Sequence, residues 1–94
     1  IHTKTVGGYA ILSNIPNIIG VSMLVSSESG FAGKRVLEAS FPDWMRIAFI
    51  QRLNTNGTWE SLRPSLDKTL LEDDRLIIFC SPERVVELEK RFKV

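Results

Sequence analysis

Cysteine and histidine occur once each in these 94 residues, and that scarcity closes off several chemistries at the outset. The single Cys80 has no partner for an internal disulfide, which suits a reducing compartment. It lies inside an apolar run, where a small buried hydrophobe is expected rather than a reactive thiol. His2 stands near one end of the chain with no other His or Cys close by in sequence, so neither a metal site nor a serine with a histidine base is in view. No apolar run approaches the ~18 residues that a membrane span needs. An excess of one charge is missing too. Twelve Lys and Arg face eleven Asp and Glu, a net charge of +1, and this leaves nothing to hold a nucleic-acid backbone.

Nucleotide-binding loops are absent as well. Gly33-Lys34 has the end of a phosphate-cradling loop, but that loop needs a glycine where Glu28 stands and a Ser or Thr where Arg35 stands. No G-x-G-x-x-G run signals a dinucleotide site. Asp73 and Asp74 are adjacent carboxylates in an acidic turn and are expected to stay solvated, whereas acid-base work needs a shielded, shifted pair. The reading is therefore of a non-enzyme. Asn56-Gly57-Thr58 has the form of a glycosylation acceptor and is better explained as a hairpin turn.

What remains has ordinary globular proportions, 44% hydrophobic and 24% charged, so global disorder is not expected. Ninety-four residues make one domain near the lower end of sizes that bury an adequate core alone, and further burial at a subunit interface would help. The chain starts at Ile1 with neither Met nor a recognisable signal segment, and is expected to be a piece of a larger, membrane-associated protein.

The clearest stretch spans residues 71–92. An acidic turn at residues 72–74 precedes the dense apolar run Leu76-Ile77-Ile78-Phe79-Cys80, which reads as a buried strand. Ser81 as a cap and Pro82 at the first helical position then start a helix. Val85, Leu88 and Phe92 share the face of that helix that packs on the sheet, and Glu87 with Arg91 and Glu89 with Lys93 decorate its solvated side. Upstream, residues 18–26 read as a strand rich in β-branched residues, and residues 34–41 as a short helix stopped by Pro42. Residues 44–53 read as a central strand with Met45, Ile47 and Phe49 on one face. Residues 54–57 form a tight turn, with Asn56 and Gly57 supplying positive φ, and residues 58–62 the returning strand. A further short strand is expected within 66–71. The fold class is α+β, a small, mostly antiparallel sheet with two helices packed on it. Residues 1–20 read as a linker or edge segment, and residues 21–94 as the domain proper.

Two features can bind. Arg46 and Arg52 alternate onto one strand face, where a guanidinium can grip a phosphate or carboxylate in bidentate fashion. The alternatives are solvated edge arginines or a structural ion pair with Asp43 or Glu60. Val36, Leu37, Phe41 and Trp44 form an apolar group around Pro42 that serves as core, subunit interface or ligand slot.

The ordered set Gly33-Lys34-Arg35-Val36-Leu37-Glu38, Arg46-Ile-Ala-Phe-Ile-Gln-Arg52, Pro64 and Asp74-Arg75-Leu76-Ile77-Ile78-Phe79 resembles the TrkA-C domain. That domain is the C-terminal lobe of the RCK (regulator of potassium conductance) module of potassium channels, Trk and Ktr uptake systems and cation/proton antiporters. The resemblance runs from about residue 21 to 92. It implies a cytoplasmic, non-catalytic, homodimeric sensor, attached to or associated with the inner face of the membrane, that couples a small ligand to a membrane-embedded potassium or other cation channel or transporter. In some members the ligand is cyclic di-AMP, held between two C-lobes. The slot positions fall here on Val36, Leu37, Ser40, Phe41, Arg46 and Ile47. Ligand-binding members often carry Ile-Arg just after the helix, where this chain has Phe41-Pro42-Asp43. Another small anionic ligand, or a dimerisation module with no ligand, is the alternative.

Overall fold

The computed structural model describes residues 3–6 and 9–12 by their backbone and residues 17–93 in full. The elements run β1 (Thr3–Val6), β2 (Tyr9–Leu12), β3 (Ile19–Leu24), α1 (Val36–Ala39), β4 (Arg46–Leu53), β5 (Trp59–Leu62), β6 (Arg75–Cys80) and α2 (Val85–Phe92). Short 3₁₀ turns lie at Ser27–Ser29 and Pro82–Arg84. The strands form one sheet in the order β1-β2-β3-β6-β4-β5, antiparallel throughout. The expected α+β class, a small antiparallel sheet with helices packed on it, is the one observed.

β6 lies between β3 and β4, and its burial alternates: Leu76, Ile78 and Cys80 are buried, whereas Arg75 is exposed and Ile77 and Phe79 are half-buried. Opposed residues in an antiparallel pair share a face. Ile19, Val21 and Met23 of β3 pair with Cys80, Ile78 and Leu76, so one side of the sheet carries the core. Val36 of α1 and Val85, Leu88 and Phe92 of α2 join that cluster, which puts both helices on the same side. Phe92 also meets the rings of Phe31 and Phe41 at 5.0 and 6.1 Å between centroids. The expected packing face of the last helix is thus the one observed. Full burial of each large apolar side chain there contributes about 1.5–3 kcal/mol.

Local differences from the sequence reading have physical causes. Ile47 pairs with Ile78 but Phe49 pairs with Ile77, so Ala48 is an extra residue in β4. Such a bulge reverses the inside-outside alternation beyond it. Arg46, opposite Phe79, faces away from the core, while Ile50, opposite Leu76, is fully buried and Arg52 follows it inward. Arg46 and Arg52 therefore lie on opposite faces, and Phe49 does not share a face with Ile47. Within residues 66–71 there is a single bridge from Thr69 to Arg35 rather than a strand. The hairpin turn needs positive φ only at Gly57, at +85°; Asn56 instead accepts from the Thr58 amide through Oδ1 at 3.1 Å. Ser81 has the extended backbone of a cap, but its hydroxyl makes no capping bond.

Candidate functional site

In the acidic turn Glu72 and Asp73 stay exposed as the sequence suggested, but Asp74 does not. Asp73 takes the left-handed conformation, φ +72°, and its amide donates to the Val25 carbonyl at 2.8 Å. That closure turns Asp74 inward to 1% exposure. Its Oδ1 accepts from Arg52 Nε at 2.9 Å, and its Oδ2 from Arg52 Nη2 at 2.7 Å and from the Leu71 amide at 2.9 Å. Arg52 Nη2 also donates to the Thr69 carbonyl at 3.0 Å. The side-chain bonds to Asp74 raise the Arg52 pKa further above its already high value. Arg52 is thus held by structure, and its partner is Asp74 rather than Asp43 or Glu60. Among the described residues no group of three His, Cys, Asp or Glu side chains is placed to hold a metal ion; His2 lies outside those residues.

The second site forms where α1 meets the start of β4. Glu38 Oε1 accepts from the Arg35 amide at 2.9 Å and from Arg35 Nε at 3.2 Å. The backbone bond, then the side-chain bond, lower the Glu38 pKa below the usual carboxylate range. The amides of Val36 and Leu37 donate to the carbonyls of Lys68 and Leu66 at 2.9 and 3.0 Å, tying the helix start to the loop after β5. Ser40, φ +54°, ends the helix in a left-handed residue. A turn closed by the Met45 amide on the Pro42 carbonyl at 3.0 Å then leads into β4.

These constraints leave an open cleft of about 500 Å³ lined by Val36, Leu37, Ser40, Phe41, Arg46 and Ile47 together with Pro42, Asp43, Met45, Pro64 and Leu66. All six positions named from the sequence thus face one concavity. Val36 and Met45 are buried, while Leu37 and Leu66 remain 53% and 61% exposed. Arg46 is exposed and has no hydrogen-bond or ion-pair partner among the described residues, and Asp43, on the same wall, does not pair with it. The lining therefore offers apolar surface, one unneutralised guanidinium, a separate carboxylate and the Ser40 hydroxyl. Such a set can hold a small molecule with a flat apolar part and an anionic group. Pro64 and Leu66 were not foreseen as lining, because only the return of the chain past β4 brings them here.

Burial, then the nearby Glu83 charge, push the Cys80 thiol above its usual pKa, as expected for a packing residue. No described helix is long and apolar enough to cross a membrane. No protein-family model and no curated protein matches the chain.

Proposed function

We propose that this chain is a ligand-sensing, dimerising regulatory domain of a potassium or other cation channel or transporter, taking a small anionic ligand in the cleft between α1 and β4. The observation that carries the reading is the convergence of Val36, Leu37, Ser40, Phe41, Arg46 and Ile47 on one cleft with Arg46 unpaired. Arg46 supplies the cation for the ligand's anion; Val36, Phe41 and Ile47 supply apolar contact. Two copies meet at the exposed Leu37 and Leu66 beside the cleft, so that ligand binding and subunit geometry are linked. A ligand shifts such an assembly only by its difference in affinity between two arrangements, and a cleft shared by two copies changes shape when they rotate. The parent transporter lies in the membrane and this domain works on its cytoplasmic side.

The same exposed leucines favour a second reading, a dimerisation module with no ligand. Thermal-shift measurements with cyclic di-AMP and with adenine nucleotides, run beside analytical ultracentrifugation, separate the two. A ligand at one hundred times its dissociation constant adds ~2.7 kcal/mol, a rise of about 10 °C or more in a domain of this size. Arg46→Ala is expected to remove that rise while leaving the melting temperature of the free protein within about 2 °C, since Arg46 supports nothing else. A dimer whose melting point no anion moves establishes the second reading, and a monomer at tens of micromolar defeats both.

A further inference from the structure

Across β3 to β6 the outer face carries an apolar patch, with Ser22, Gln51 and Ser61 beside it, where an open antiparallel sheet is ordinarily polar. Both helices and every side chain of the core cluster lie on the other side. Outward from β4 and β6 point Phe49, Ile77 and Phe79, half-buried and outside that cluster, flanked by Leu24, Leu53 and Trp59 at 43%, 50% and 45% exposure. Leu76 to Cys80 is a continuous apolar run, a pattern that belongs to strands covered on both faces. Here, among the described residues, the helices cover one face. Contiguous apolar surface of this kind marks a place where something docks.

The charges on this face say what. Its charged side chains among the described residues of β3 to β6 are Arg46, in register with Phe79, and Arg75, in register with Gln51. Arg75 lies over the Trp59 ring at 4.9 Å, and neither arginine has a carboxylate partner among the described residues. The two positions lie four steps apart along β6, about 13 Å at ~3.3 Å per residue. Face-to-face packing of a second copy brings arginines against arginines with no acid to offset them. An anionic bilayer is drawn by clusters of four to eight cations, and two fall short. We infer that the outer face receives an amphipathic helix of a partner, with an apolar stripe and acidic side chains about eight residues apart, ~12 Å at 1.5 Å per residue. This surface is separate from the cleft except at Arg46, which stands on the boundary of both.

The test selects from a displayed library of helix-forming peptides against the folded chain, with Arg75→Glu and Phe79→Glu as counter-targets and circular dichroism confirming their fold. Enriched peptides are expected to carry an apolar stripe flanked by acids, to shift Trp59 fluorescence, and to bind Arg75→Glu at least tenfold more weakly. Lysine substituted for the peptide acid is expected to restore that binding. Arg75→Glu is at the surface and outside the cleft, so it keeps the measurement meaningful should Phe79→Glu unfold, and its loss of binding is distinguishable from loss of anion sensing. Four results overturn the inference: no enrichment, peptides with basic flanks, self-association abolished by Arg75→Glu, or partition onto vesicles containing 30% phosphatidylserine that competes with the peptides.

Discussion

Replacing Asp74 with Asn tests whether the inward-turned carboxylate locks the sheet to the loop before β6. The amide keeps the shape of the side chain but loses the charge, and its NH₂ must stand either where Oδ1 meets Arg52 Nε or where Oδ2 meets both Arg52 Nη2 and the Leu71 amide, donors in each case. Breaking a buried ion pair costs ~3–5 kcal/mol; the low end, about 3 kcal/mol, applies because the Arg52 side chain is 23% exposed and water can re-solvate it. That is a large share of the ~5–15 kcal/mol that holds a domain of this kind. The melting temperature should fall by about 12 °C or more, and the urea midpoint by about 1–3 M at unchanged slope. A double-mutant cycle with Arg52→Met isolates the pair, and the two losses should overlap by at least ~1 kcal/mol. Additivity within ~0.5 kcal/mol would mean that Asp74 acts through the Leu71 amide alone and that the clasp does not exist energetically.

Gly57→Ala places a side chain at φ +85°; nothing crowds it, so the cost is conformational, about 1 kcal/mol, read from urea unfolding with the rest of the fold unchanged. Cys80 should resist alkylation in the native protein at pH 8 and react within minutes in denaturant, as followed by mass spectrometry. Because the thiol pKa is higher in the folded protein than its ordinary 9.0, the unfolded chain ionises first. Stability should then fall as pH rises above 9, and Cys80→Ala should remove that part of the alkaline slope.

The class of fold and the position of β3 to β6 and of the two helices were legible because they rest on local signals. The run from Leu76 to Cys80 and the spacing of Val85, Leu88 and Phe92 each state a burial pattern within a few residues, and the sheet and α2 follow them. The cleft positions were reached through the order of short motifs, and the chain brings them together. The partner of Arg52 was not legible, since Asp74 is 22 residues away and no rule of spacing selects it over Asp43 or Glu60. Ala48 gave no warning of the bulge either. An alanine in a strand looks the same whether or not it is paired, and the whole assignment of faces beyond it turned on that one residue.

By itself the sequence determined which segments must be apolar on a face and where the chain turns, because these depend on composition and on neighbours within a turn or a strand. Tertiary structure alone decided that Asp74 goes inward, that Arg46 and Arg52 part company, that Pro64 and Leu66 line the cleft, and that Phe49, Ile77 and Phe79 turn to the face of the sheet opposite the helices. Those outcomes depend on pairing between distant strands, and one residue added to a ladder reverses every side chain that follows.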